Sequence, residues 1–164
     1  MKKIIFISLF LIMSLNLFGC GGYKPIFAEA KIEFDIGTHQ IEGNKLLGNK
    51  IFSNIKNLSK KKSGEGNLQS LDFLISVSNE KKSTSKNSAG KILEYKITIN
   101  TKIIVTESFS EVKILEENYN QSVAYKVQEQ YSDTVKLENR SIDGLLSKVY
   151  QNLLIKLSEK IKTQ

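Results

Sequence analysis

Lys31-Ile32-Glu33-Phe34-Asp35-Ile36 alternates polar and apolar residues strictly, the period of two that belongs to a strand with one wet face and one core face. Gly37 is expected to end it. From Asn44 to Lys62 the spacing changes, and Leu47, Ile51, Ile55 and Leu58 fall on one helical stripe with lysines on the other side, which predicts an amphipathic helix. Lys60, Lys61 and Lys62 would lie in its last turn, where positive charge suits the negative end of the helix dipole, before Ser63-Gly64-Glu65-Gly66 stops it. A basic helix of this kind also suits a membrane surface.

Alternation returns in Leu71, Phe73, Ile75 and Val77 and, over the longest run, in Leu93, Tyr95, Ile97, Ile99, Ile103 and Val105. Both runs predict strands. Between them Asn79 to Gly90 holds no large apolar residue and reads as a solvated loop at a hairpin tip. Ser108 to Glu111 reads as a turn with Phe109 exposed or folded back, and a fourth strand is expected within Val112 to Ala124, through Leu115, Tyr119 and Val123. Ser132, Asp133 and Thr134 offer N-caps for a final helix whose stripe is Val135, Ile142, Leu145, Leu146, Val149, Leu153, Leu157 and Ile161. Gly144 within it suggests close packing, since glycine costs a helix about 1 kcal/mol against alanine. The predicted fold is α+β, a two-layer sandwich of a four-stranded, mostly antiparallel sheet packed by two helices in the order β-α-β-β-β-α.

The start of the chain obeys a different pattern. Lys2 and Lys3 precede the apolar run Ile4 to Leu17, interrupted only by Ser8, Ser14 and Asn16. As a helix the run would span roughly 21 Å, against about 30 Å for a hydrocarbon core, so it reads as a signal peptide rather than a permanent membrane span. Leu17-Phe18-Gly19-Cys20 resembles a lipobox, with Phe18 where a smaller residue is usual, and Cys20 is then the acyl acceptor. The organisation expected is residues 1–19 as a lipoprotein signal peptide, 20–26 as acylated cysteine and tether, and 27–164 as a single domain. By resemblance to lipoproteins of two-membrane bacteria, Gly21 rather than Asp after the cysteine implies the outer membrane, on its periplasmic side.

Charge and composition narrow the chemistry. Of 24 basic side chains Lys2 and Lys3 lie in the leader, which leaves 22 against 17 acidic ones. A moderately basic surface favours anionic partners, although lysine abounds throughout the chain and a secreted address argues against nucleic acid. One cysteine and one histidine, His39, exclude a multi-thiolate zinc site and make a histidine-based catalytic triad hard to assemble. Glu116 and Glu117 are neighbours on a strand and point to opposite faces, so they cannot converge on one substrate. The sequence gives no phosphate-binding glycine loop, and no cofactor and no enzymatic activity are expected. Lys81, Lys82 and Lys86 form the densest positive cluster away from a helix end. They are either a solvated hairpin tip or contacts for an anionic ligand.

Cys20-Gly21-Gly22-Tyr23-Lys24-Pro25-Ile26-Phe27 resembles the opening of the LPS-assembly lipoprotein LptE family, whose mature start reads Cys-Gly-aromatic-basic-Pro-hydrophobic-aromatic; Gly22 is an extra residue. The predicted element order, the Tyr119-Asn120 pair in the fourth strand and the long C-terminal helix are also similar. The resemblance implies an outer-membrane lipoprotein that inserts into an LptD-type β-barrel, assists its assembly and helps deliver lipopolysaccharide to the outer leaflet. No binding residue of the family maps onto this sequence; by their charge, Lys81, Lys82 and Lys86 are the candidates to contact lipopolysaccharide or an acidic loop of the barrel. The other reading that fits is a structural accessory lipoprotein of a different periplasmic secretion or transport machine.

Overall fold

The computed structural model describes residues 34–59 and 68–161. The leader, Cys20, the tether and Lys60 to Lys62 lie outside the described residues. The element order is β1 (Asp35–Gly43), α1 (Lys45–Leu58), β2 (Ser70–Lys86), β3 (Ile92–Glu107), β4 (Lys113–Lys126) and α2 (Tyr131–Ile161). The four strands make one sheet in the order β1-β2-β3-β4, with β1 parallel to β2 and the other pairs antiparallel. The predicted α+β fold and its element order are those observed.

Gly37 does not end the first strand, which runs on to Gly43. The pairing with β2 shifts between Ile36 and His39, so Gly37 is a point of irregularity inside the strand rather than its end. A Cβ there would collide with the side chains of Asp72 and Ser108. Glycine makes room for Asp72 to accept from the Thr38 N–H at 2.5 Å. The strand turns into α1 at Gly43, whose φ of +70° is a glycine conformation. Asn44 then caps the helix by accepting from the Leu47 N–H at 3.2 Å.

Leu47, Ile51 and Ile55 are buried as the helical stripe predicts, and Phe52 joins them. Leu58 is only partly covered. The helix closes there, four residues before the predicted end, with the Ser59 N–H donating to the Ile55 carbonyl. Lys56, not Lys60 to Lys62, is the basic residue of its last turn.

The core lies on one side of the sheet. Leu71, Phe73, Ile75 and Val77 of β2 and Ile97, Ile99, Ile103 and Val105 of β3 are all buried, at alternate positions that face the same way. α1 packs on β1 and β2, α2 on β3 and β4, and the helices touch each other. Thr101 fills the gap between Ile99 and Ile103 and is 2% exposed. The register of β4 shifts between the Val105 and Thr106 pairings, which leaves Ile114 between the partnered Lys113 and Leu115; Ile114 and Leu115 are both buried.

Three more expectations are corrected. Residues 79–86 are strand, not loop: β2 and β3 stay paired as far as Lys86 and Ile92, and only Asn87 to Lys91 turn. Asn87 organises that turn, its side chain accepting from the Ala89 and Lys91 N–H groups and its carbonyl from Gly90 N–H. α2 starts at Tyr131, so Ser132, Asp133 and Thr134 lie in its first turn, and the Gln130 carbonyl accepts from the N–H groups of Asp133 and Thr134. Gly144 marks no close packing, because a Cβ there would meet open space. The close approach is at Gly48, where a Cβ would strike the Ile41 side chain of β1.

Candidate functional site

The paired strands separate the lysines that sequence places together. Lys81 pairs across from Ile97, and Lys82 from Lys96, so they point to opposite faces of the sheet. Lys81 faces α2 and lies in an aromatic setting. Its Nζ is 4.4 Å from the centre of the Tyr95 ring and 5.8 Å from that of Tyr125, within reach of cation–π attraction. It donates to Glu138 Oε2 at 2.5 Å, and the Tyr125 hydroxyl donates to the same oxygen at 2.8 Å.

Burial pulls the Lys81 ammonium down, but the bond to Glu138, with help from Tyr125, outweighs it and holds the group up at about 12. Burial likewise raises the Glu138 carboxyl, and the bonds from Lys81 and Tyr125 carry it below its ordinary value. Lys81 is therefore already neutralised within the fold. Lys82 is exposed and pairs with Glu80 at 2.8 Å; Lys86, the last residue of β2, is exposed. The three are not one patch. Beside Lys81 a cleft of about 480 Å³ opens between the hairpin and the start of α2, lined among others by Lys91, Ile92, Tyr95, Tyr131 and Val135.

The second surface is the face of the sheet opposite the helices. Its cross-strand rows are Ser76, Lys102 and Asn118, then Ser78, Asn100 and Asn120, then Glu80, Thr98 and Ser122. Neither helix packs there, since both cover the other side. Several of these side chains are bonded: Ser76 donates to Glu42 at 2.8 Å, Asn120 to Asn100, and Lys102 to Glu116 at 2.9 Å. Hydrogen bonds from Lys102 and Lys113 hold the Glu116 carboxyl down at about 2. A depression of about 350 Å³ runs along these rows. Leu74 and Ile104 are half-buried apolar residues of the same sheet face, next to the Ser76–Lys102 row. Glu117 pairs with the buried Ile103 and so faces the helices, away from Glu116.

Sequence reasoning missed Thr101, the core-side cross-strand partner of Tyr119. Burial pushes the Tyr119 phenol up to about 12, with a further contribution from the Glu117 charge. It also missed Glu138, although a signal was present: Glu138 falls between Val135 and Ile142 on the apolar stripe of α2, where a charge implies a partner across the interface. Among the described residues no cluster of three or more His, Asp or Glu side chains could hold a metal ion, and no helix is long and apolar enough to cross a membrane.

Among the described residues these elements define an α+β sandwich with one sheet face bare. No family model matches the chain and no curated protein matches it in sequence. Among solved structures it resembles uncharacterized lipoprotein B from Nitrosomonas europaea, at 14% identity and a TM-score of 0.53, over 81% of this chain and 88% of that one. It also resembles a candidate lipoprotein from Caulobacter crescentus CB15, at 7% identity and a TM-score of 0.51, over 82% of this chain and 93% of that one. A weaker likeness, at a TM-score of 0.43 and 12% identity over 77% of this chain and 95% of the other, is to rare lipoprotein B from Shewanella oneidensis. What the chain shares with the first two of these bacterial lipoproteins is the fold.

Proposed function

We propose that this chain is an outer-membrane lipoprotein, acylated at Cys20, that seats in the lumen of an LptD-type β-barrel, assists the barrel's assembly and helps deliver lipopolysaccharide to the outer leaflet. The observation that carries the reading is the bare sheet face. Its hydroxyl and amide side chains and its Lys102–Glu116 ion pair make a polar surface, which suits a wet lumen better than a dry one. The lipobox-like Leu17-Phe18-Gly19-Cys20, the LptE-like residues 20–27 and the fold shared with bacterial lipoproteins support it. The anionic contacts then lie with Lys82 and Lys86 rather than with Lys81, and Lys96 stands directly across from Lys82 on the bare face. Glu80 already pairs with Lys82, but the pair is exposed and weak enough for an external phosphate to replace it, and lysine serves as a point charge toward phosphate.

The test is purification of the full chain, tagged at its C-terminus, from gently solubilised envelopes. A one-to-one complex with an LptD-type barrel is expected, together with less assembled barrel and less surface lipopolysaccharide when the chain is depleted. Purification with components of another periplasmic machine, and a barrel unaffected by depletion, would favour the accessory reading.

A further inference from the structure

The turn between β3 and β4 displays a phenylalanine to solvent. Phe109 is 91% exposed and Val112 54%, yet the turn that carries them is tightly bonded. Glu107 N–H donates to the Val112 carbonyl and Glu111 N–H to the Glu107 carbonyl, both at 2.9 Å. The Ser110 hydroxyl donates to the Glu107 carboxylate, and Val112 N–H to Ser110 Oγ at 3.3 Å. Ser108 ties the turn to β2, through its N–H to the Ser70 carbonyl at 2.9 Å and its hydroxyl to Asp72 Oδ1 at 2.9 Å. Glu111 adopts a φ of 56°, which a residue with a side chain rarely does. An apolar ring of this size gains from leaving water, and here a fixed turn keeps it out of the core.

The position of the turn supplies the second observation. Asp35 pairs with Ser70, and its N–H donates to the Gln69 carbonyl at 3.0 Å. The chain therefore enters the sheet from Cys20 at the same end as the Phe109 turn. From residue 20 to residue 35 is 15 residues, a reach of up to about 50 Å if extended. That reach brings the Phe109 turn within range of the bilayer that would hold the acyl chains.

We infer that Phe109 and Val112 form a second membrane contact, dipping into the headgroup region of the bilayer that carries the Cys20 acyl chains and fixing this end of the sheet against it. The inference rests on the acylation proposed above. The contact is apolar and suits zwitterionic lipid, because Glu107 and Glu111 flank the turn and disfavour an anionic surface. Burial of apolar side chains at the boundary between headgroups and acyl chains adds to the anchoring supplied by lipidation.

The chain contains no tryptophan, so F109W introduces a single fluorophore at the turn. Y131W places one at the far end of the sheet, beside the Asn87 to Gly90 turn, where Tyr131 is 83% exposed. The full acylated chain carrying either substitution is reconstituted into phosphatidylethanolamine vesicles containing brominated phosphatidylcholine. F109W emission should shift to the blue and be quenched several-fold more strongly than that of Y131W. Equal quenching at the two positions, or none at F109W in a chain that sediments with the vesicles, overturns the membrane contact and leaves acylation standing. A chain whose mass shows no acyl groups and that stays in the supernatant overturns acylation, and the contact with it.

Discussion

Lys81 and Glu138 stand 57 residues apart in the chain and meet at 2.5 Å, tying the outer half of the β2–β3 hairpin to the first turns of α2. The Tyr95 ring beneath the ammonium and the Tyr125 hydroxyl on the same carboxylate make this a four-residue joint. From Ser78 to Lys86 every residue of β2 is exposed, so this part of the hairpin reaches the core only through Ile97 and Ile99 of β3. The joint adds a side-chain tie from β2 to α2.

Replacing Lys81 with Met and Glu138 with Gln, singly and together, should give a coupling of about 1 kcal/mol in denaturant melts, at the upper end for a partly exposed pair. Glu138 titrates below its unfolded value of ~4.3, so its contribution is complete above that pH and is lost as pH falls through the folded value. The stability gap between the parent and E138Q should therefore narrow on acidification below about pH 4. A gap independent of pH would mean that the carboxylate is not held by the lysine.

Two helical glycines should respond oppositely to alanine. Gly144→Ala fills open space and should stabilise by up to ~1 kcal/mol through helix propensity. Gly48→Ala drives a Cβ into Ile41, and overpacking of ~1–3 kcal/mol outweighs the same propensity gain. Thermal melts of the two variants test this directly, with stabilisation by Gly48→Ala as the outcome that contradicts the packing described.

Cys20→Ala should abolish fatty-acid labelling of the chain and its lipoprotein-type cleavage, because no other thiol is available to accept diacylglycerol. Metabolic labelling reads the outcome, and label retained by the variant would remove the anchor from the account.

Legibility in the sequence followed burial. β3 shows its alternation because one face is covered over much of its length, and α1 shows its stripe because it lies on β1 and β2. Residues 79–86 looked like a loop because their side chains are exposed, so no alternation marks the strand although its backbone pairs with β3. Gly37 looked like a terminator because an irregular position inside a strand and a strand end share the same residue preference. The register of β4 was hidden by the shift at Ile114. The lysine cluster failed for a related reason: adjacency in sequence means opposite faces on a strand, and what neutralises Lys81 comes from a helix that begins 50 residues later. The bare sheet face was readable only in part, since alternation identifies a polar face but not whether another element covers it.

The central claim is that the bare face meets the inside of a barrel. Photocrosslinkers placed at Thr98 and Lys102, which lie on that face in the rows on either side of Asn100, test it in intact cells. The account predicts crosslinks from both positions to an LptD-type barrel, at residues that line its lumen. Crosslinks from both to a periplasmic protein, with none to a barrel, would contradict it.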